Sequence, residues 1–533
     1  MRILACVLAY QVPLRDLDVS CHKKIETLLL STLIGTAIMW WIKPAATTVA
    51  TAFLLQRTTD VALKTRTLSL GAGVHAGMSV LMEPPVSTGR NKEDSSNEKS
   101  CHFKTKQTSI VSNQGPTATF MLYWPSITTF TLESGWTPQH TEKLKKAVNK
   151  VVERNPILTG RAQTSGLWGR NTKVSIKPGT FPVSQHSFVS EKSFGAGIPF
   201  HFTNVWPDLE HKSDTELIRF MDESLTPLVP PAESVVESVK SGNPLFDVHV
   251  LTIPGGYACL AVRLSHCVGD GVAYYNIMNE INYYFNHLDD DGNDDGAEKG
   301  NHHPPPLLEW TAPAIAQHEI WPSRYSKADV QKAYGVSFLL GLLRNVWNID
   351  AHAKDYIVLS KDKIEKKKKE LVDKSQHSHL SSNDIITAAL CEANGSSDLF
   401  CFTMNMRFQP HCRHFGFNFH NEVPFPSKVA AANPNAFRSI LKQGYYYDTD
   451  KLPTWPFVAG RVGRVSSLAS VQHVIASKDT KVLFHGMLAS YVQNVPLDCA
   501  FITSMNDDKF LVIHNFREIN TKSGLLHDIL IDE

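Results

Sequence analysis

Between residues 257 and 288 the apolar positions change period, and the rest of the chain is best read from that change. Leu260, Val262 and Leu264 alternate with Ala261, Arg263 and Ser265, a period of two that predicts a half-buried strand. Tyr274, Ile277, Met278, Ile281, Tyr284, Phe285 and Leu288 then recur at spacings of three and four, which predicts a helix with one apolar face. Between them runs His266-Cys267-Val268-Gly269-Asp270-Gly271. Upstream, Val248 to Ile253 reads as a second strand, and Pro254-Gly255-Gly256 turns it back on the first, so the two form a hairpin.

The remaining pattern is mixed. Phe120 to Leu132, rich in Thr, Phe, Ile and Tyr, predicts a strand. Thr137-Pro138 opens a helix with a stripe at Leu144, Val148, Val151 and Val152, and Asn155-Pro156 closes it. Short strand-like runs follow, up to Val248. In the second half, Tyr356 to Leu359 is strand-like and a helix starts at Lys361. Ser381-Ser382-Asn383-Asp384 caps a further helix through Leu390, with Asp384 placed for the helix dipole. Phe400 to Met406 is an apolar strand that ends at Arg407.

Two stretches interrupt this pattern. Thr27 to Ile42 and Ala45 to Leu55 are apolar or small and are split by Lys43-Pro44; each is short of the roughly 20 residues that cross a bilayer. Together they read as one kinked span or a re-entrant pair, with Trp40 and Trp41 beside Lys43 as interface anchors. A cleaved targeting segment and a helical arm docked on the folded body are the rival readings. From Glu83 to about Gln114 the chain is a polar linker. Asp289 to Pro306, with its Asp-Asp-Asp-Gly-Asn-Asp-Asp-Gly run, reads as a solvated crossover, since it lacks the bidentate Glu of a calcium loop.

Composition adds limits. A chain of 533 residues is too long for one core. Lys and Arg number 53 against 52 Asp and Glu, so no overall field draws the protein to nucleic acid or to an anionic membrane. The nine cysteines, at 6, 21, 101, 259, 267, 391, 401, 412 and 499, lack the spacing of a disulfide framework or a metal knuckle, which favours a reducing, intracellular compartment. Lys366 to Lys369 reads as a solvated helix face, diluted by Glu365, Glu370 and Asp373. His411, Cys412, His414 and His420 match no common zinc spacing, so no metal is expected.

The candidate chemistry lies in the turn between strand and helix. A strand ending in a Gly-rich turn holds a side chain rigidly and leaves it open to a cleft, which makes His266 the first candidate for a catalytic base. Gly269 and Gly271 suit a tight turn where larger side chains would crowd the site. Cys267, beside His266, reads as an inert buried thiol. Asp270 is either the partner of His266 in a dyad or a structural group.

The spacing His266-x-x-x-Asp270-Gly271 resembles the signature of CoA-dependent acyltransferases of the BAHD type and their relatives, which include chloramphenicol acetyltransferase and peptide-synthetase condensation domains. Tyr356 to Lys368, Ser381 to Asp384 before a helix, and Asn405-Met406-Arg407 followed by Pro410 and Gly416-Phe417-Asn418 resemble later BAHD landmarks in the same order. The resemblance spans about residues 115 to 533. It departs from the plant pattern in lacking Asp-Phe-Gly-Trp-Gly, where Asn494-Val495-Pro496-Leu497-Asp498 stands instead.

The resemblance implies an α/β (α+β) fold of two similar chloramphenicol acetyltransferase-like halves, each a mixed sheet with helices, with a channel between them. It implies that His266 is the general base in that channel, and that Asp270 and Gly271 are structural, with Arg407 as the partner of Asp270. Acyl-CoA enters as a co-substrate, with no permanently bound cofactor, and the acceptor is an alcohol or amine. A membrane-associated wax ester or diacylglycerol-type acyltransferase acting on a lipid acceptor, and a non-catalytic binding protein of the same fold, are the alternatives. The expected organisation is an N-terminal anchor or targeting region at 1–82, a linker at 83–114, a first half at 115–288, a crossover at 289–310 and a second half at 311–533. The expected state is monomeric, with possible membrane association through residues 27–55 and no nucleic-acid partner.

Overall fold

The computed structural model describes residues 108–109, 126–165, 173–193, 206–231, 233–288, 304–310, 355–372, 379–395, 397–405, 407, 413–416, 420–443, 462–489 and 498–531. Residues 94–163 and 174–533 belong to one compact unit; residues 1–93 and 164–173 form a second, almost all of it outside the described residues. The apolar stretch 27–55 and the acidic run 289–303 also lie outside them. No helix among the described residues is long and apolar enough to cross a membrane.

The elements used below are β1 (Ile127–Ser134), α1 (Pro138–Arg154), β2 (Val189–Ser193), β3 (Phe246–Ile253), β4 (Tyr257–Leu264) and α2 (Gly271–His287). They continue as β5 (Asp355–Ser360), α3 (Lys361–Val372), α4 (Ser382–Ala393), β6 (Leu399–Asn405), β7 (His420–Pro426), β8 (Val462–Ser467), β9 (Lys481–Gly486), β10 (Asp498–Ser504) and β11 (Lys509–His514). Two mixed sheets dominate this α/β architecture. The first runs β9-β1-β4-β3-β2 and the second β7-β6-β8-β10-β11-β5.

The β3–β4 hairpin forms as the Pro254-Gly255-Gly256 turn predicts, with Gly255 and Gly256 at φ of 91° and 80°, a region that glycine enters without a Cβ clash. The predicted half-burial of β4 is corrected: all eight of its residues are buried. It is the central strand of a sheet covered on both faces. Ala258, Leu260, Val262 and Leu264 face a core built with α1 and α2, whereas Cys259 and Ala261 face the core shared with the second sheet. Arg263, on the latter side, is buried against Asp247.

Helix α1 begins where Thr137 and Pro138 place it, with the Thr137 backbone N–H donating to His140 Nδ1 at 3.0 Å. It ends at Asn155, before Pro156, as predicted. The region read as short strand-like runs is partly helical. Asp214–Phe220 and Val235–Ser241 are helices, each opened by a capping box, Ser213 with Glu216 and Ser234 with Glu237. Those S-x-x-E pairs satisfy the first backbone donors of each helix and outweigh the local strand propensity.

One strand pairs with a partner far away in sequence. β9, from the second half of the chain, pairs antiparallel with β1 and forms the edge of the first sheet, with His485 opposite Thr131. The end of the predicted crossover is equally engaged. The Glu309 N–H donates to the His414 carbonyl at 2.7 Å, the Gly416 N–H donates to the Glu309 carbonyl at 2.8 Å, and the buried Trp310 indole donates to Asn155 Oδ1 at 3.2 Å. In α3, Lys366 and Lys369 are exposed, as a solvated face requires, while Lys367 pairs with Glu370 and Asp528 and Lys368 with Glu365.

Candidate active site

The turn that carries His266 is fixed at both ends. Ser265 N–H donates to the Leu245 carbonyl at 2.7 Å, continuing the hairpin ladder by one bond, and Val268 N–H returns to the Ser265 carbonyl at 2.9 Å. His266 occupies the corner of this turn and is half-buried. Cys267 turns inward, 2% exposed, with its sulfur 3.3 Å from Ser265 Oγ. Burial pushes its thiol up to about 12, above the range in which a thiolate nucleophile forms at neutral pH. Native protein at pH 8 should therefore leave Cys267 unmodified by iodoacetamide, whereas unfolded protein should alkylate it fully; peptide mapping by mass spectrometry compares the two.

Asp270 is the N-cap of α2. Its Oδ1 accepts from the Ala273 N–H at 3.0 Å and its Oδ2 accepts from Arg407 Nη1 at 2.8 Å. His420 Nδ1 lies 3.5 Å from the same Oδ2. Burial alone would raise the carboxyl, but the Arg407 charge and the His420 contact outweigh it and hold Asp270 well below the usual carboxylate range. Asp270 is thus a fixed anion that ties the start of α2 to a loop at the edge of the second sheet.

Arg407 spreads its guanidinium over that loop. Nε donates to the Phe415 carbonyl at 2.7 Å, Nη2 to the Gly416 carbonyl at 3.4 Å, and Nη1 also reaches Asn405 Oδ1 at 3.3 Å. The same 414–416 segment pairs with Glu309, so the crossover, the loop and Asp270 form one connected brace. Gly416 is essential to the fit: a Cβ there would lie 2.2 Å from Trp310 Cε3. Trp310 is buried and hydrogen-bonded, so Gly416→Ala should destabilise the protein by about 1–3 kcal/mol, read as a lower urea midpoint at unchanged slope.

Gly271 follows Asp270 and approaches Leu468, where an added Cβ would meet Cδ2 at 2.2 Å. On the first turns of α2, Tyr274 OH bonds to Thr129 Oγ1 at 2.6 Å and donates to the Val262 carbonyl at 3.0 Å. Tyr275 OH lies 3.1 Å from His485 Nε2, and His485 Nδ1 lies 2.8 Å from Thr131 Oγ1. Burial lowers His485 to about 3 and raises both tyrosines, so this chain stays neutral and fastens α2 to the first sheet.

The structure therefore brings Asp270, Gly271 and Arg407 together and sets His266 in the turn before them. Sequence reasoning missed His420 as a neighbour of Asp270; it stood among the residues considered for a metal. His411 and Cys412 lie outside the described residues, and no group of three or more potential ligands occurs among the described ones.

No family model matches the chain, and no curated protein matches it. Solved structures do. The chain is similar to TRI101 of F. sporotrichioides, solved with coenzyme A and T-2, at 12% identity over 76% of this chain and 93% of that one, with a TM-score of 0.46. It is similar to vinorine synthase at 12% identity over 81% and 96%, TM-score 0.46. The first condensation domain of the CDA synthetase is similar at 12% identity over 77% and 93%, TM-score 0.49.

Proposed function

We propose that this protein moves an acyl group from acyl-CoA to an alcohol or amine acceptor, with His266 as general base in a channel between the halves. The observation that carries the reading is the construction of the turn: a half-buried imidazole at the end of a fully buried strand, followed by a helix whose capping carboxylate is braced from the second sheet. A base held so rigidly loses little orientation entropy on reaction.

In the reaction, a neutral His266 takes the proton from the acceptor O–H or N–H as that atom attacks the thioester carbonyl. The new C–O or C–N bond forms a tetrahedral oxyanion. Its collapse breaks the C–S bond, and the proton passes from His266 to the departing CoA thiolate. No covalent enzyme intermediate is needed. Asp270, Gly271 and Arg407 position the turn and do not touch the reacting atoms.

The test is thiol release by the full chain with a panel of acyl-CoAs, supplied with soluble alcohols, soluble amines, or fatty alcohols and diacylglycerol in vesicles. Acceptor-dependent CoA release with an equimolar acylated product supports the reading, and the productive arm names the acceptor class. Binding of acyl-CoA with no release in any arm would replace it with a binding role.

A further inference from the structure

Away from the His266 turn, the first sheet carries a second cluster of reactive side chains. On its edge strand β2, the exposed residue Ser190 stands in register with His249 of β3, and its hydroxyl lies 2.5 Å from His249 Nδ1. The other ring nitrogen of His249, Nε2, lies 3.0 Å from Asp247 Oδ1. Asp247 and His249 are two residues apart on one strand and so share a face. Arg263, directly opposite Asp247 on β4, grips the carboxylate through Nε, 3.0 Å from each oxygen, and through Nη2.

We propose that Ser190, His249 and Asp247 form a second reactive centre, in which Ser190 is an activated nucleophile toward ester or thioester acyl groups. The order nucleophile, base and carboxylate is that of serine hydrolases, built here from neighbouring strands. Burial would raise Asp247, but the hydrogen bond to His249 and the charge of Arg263 hold it low, so it stands as a carboxylate that accepts from Nε2–H. With the proton on Nε2 facing Asp247, the Nδ1 lone pair faces the Ser190 hydroxyl. Asp247 and His249 are mostly buried while Ser190 is exposed, which places the nucleophile where an acyl group reaches it and the base where water competes little.

The chemistry closes on itself. Ser190 Oγ attacks the acyl carbonyl, its proton goes to His249 Nδ1, and the ester C–O or thioester C–S bond breaks as that proton passes to the leaving alkoxide or thiolate. Water then attacks the acyl-serine, again through Nδ1, and releases the carboxylic acid with Oγ–H restored. Arg263 is a positioning residue that holds the carboxylate within reach of His249 Nε2. The proposal is independent of the acyl-transfer reading, because it uses none of the residues of the His266 turn.

The test is labelling of the folded full-length chain with a fluorophosphonate, followed by peptide mapping. Modification should fall on Ser190. Ser190→Ala should abolish it, and His249→Asn should slow it by at least 10-fold at an unchanged unfolding midpoint. Labelling of Ser190→Ala equal to wild type, or no labelling of folded wild-type protein at millimolar probe, would overturn the proposal. If His249→Asn does not fold, the wild-type and Ser190→Ala arms still decide between the two outcomes.

Discussion

His266→Ala should slow acceptor-dependent CoA release by about 100- to 10,000-fold, the range that a positioned general base contributes. The unfolding midpoint should hardly move. His266 occupies the half-buried corner of a turn whose shape is set by backbone bonds at Ser265 and Val268 and by the inward packing of Cys267 and Val268. Removing the imidazole therefore takes away little packing. The loss should appear mainly in kcat, because the base acts on the acceptor proton in the transition state and contributes little to ground-state binding. Stopped-flow thiol detection beside thermal unfolding of the same preparations measures both halves of this expectation.

Arg407→Met should behave in the opposite way, losing about 3–5 kcal/mol of stability together with activity. The side chains of Arg407 and Asp270 are 2% and 6% exposed, so water does not replace the missing partner. The substitution also strips the Phe415 and Gly416 carbonyls of their donors and loosens the segment that pairs with the crossover. Asp270→Asn should damage the same brace from the other side. Its cost has a pH signature. The Asp270 carboxyl is held below its ordinary 3.8 in the folded state, so its stabilisation is complete at neutral pH and is lost as the pH falls through 3.8 toward the folded value. The stability gap between wild type and Asp270→Asn, from urea titrations at a series of pH values, should be widest near pH 7 and narrow below about pH 4.

Where local chemistry decides a structure, it was legible in the sequence. Pro254-Gly255-Gly256 closes a hairpin, Thr137-Pro138 and Ser381 to Asp384 open helices, and the period change across His266 marks a strand, a turn and a helix. The pairing of Asp270 with Arg407 came from the family pattern, not from any spacing, since 137 residues separate the two. Long-range pairings left no local trace. Nothing in Lys481–Gly486 says that this strand lies against Ile127–Ser134, because alternation reports a strand and not its neighbour. His420 was equally hidden, reaching Asp270 only once β7 is paired and the 414–416 loop is folded. The helices at 214–220 and 235–241 were readable from their capping boxes and were masked by the turn-rich residues around them. The Asp247, His249 and Arg263 cluster was partly readable: once the hairpin register is drawn, Asp247 falls opposite Arg263. Ser190 joins it only through the parallel pairing of an edge strand.

The central claim is that His266 supplies the base and that Asp270 with Arg407 supplies only its mounting. Acceptor-dependent CoA release by His266→Ala, measured with and without added imidazole, tests it most directly. The account predicts a slow variant whose rate climbs with imidazole concentration while folding is unchanged. A His266→Ala protein that releases CoA at the wild-type rate without imidazole would contradict it.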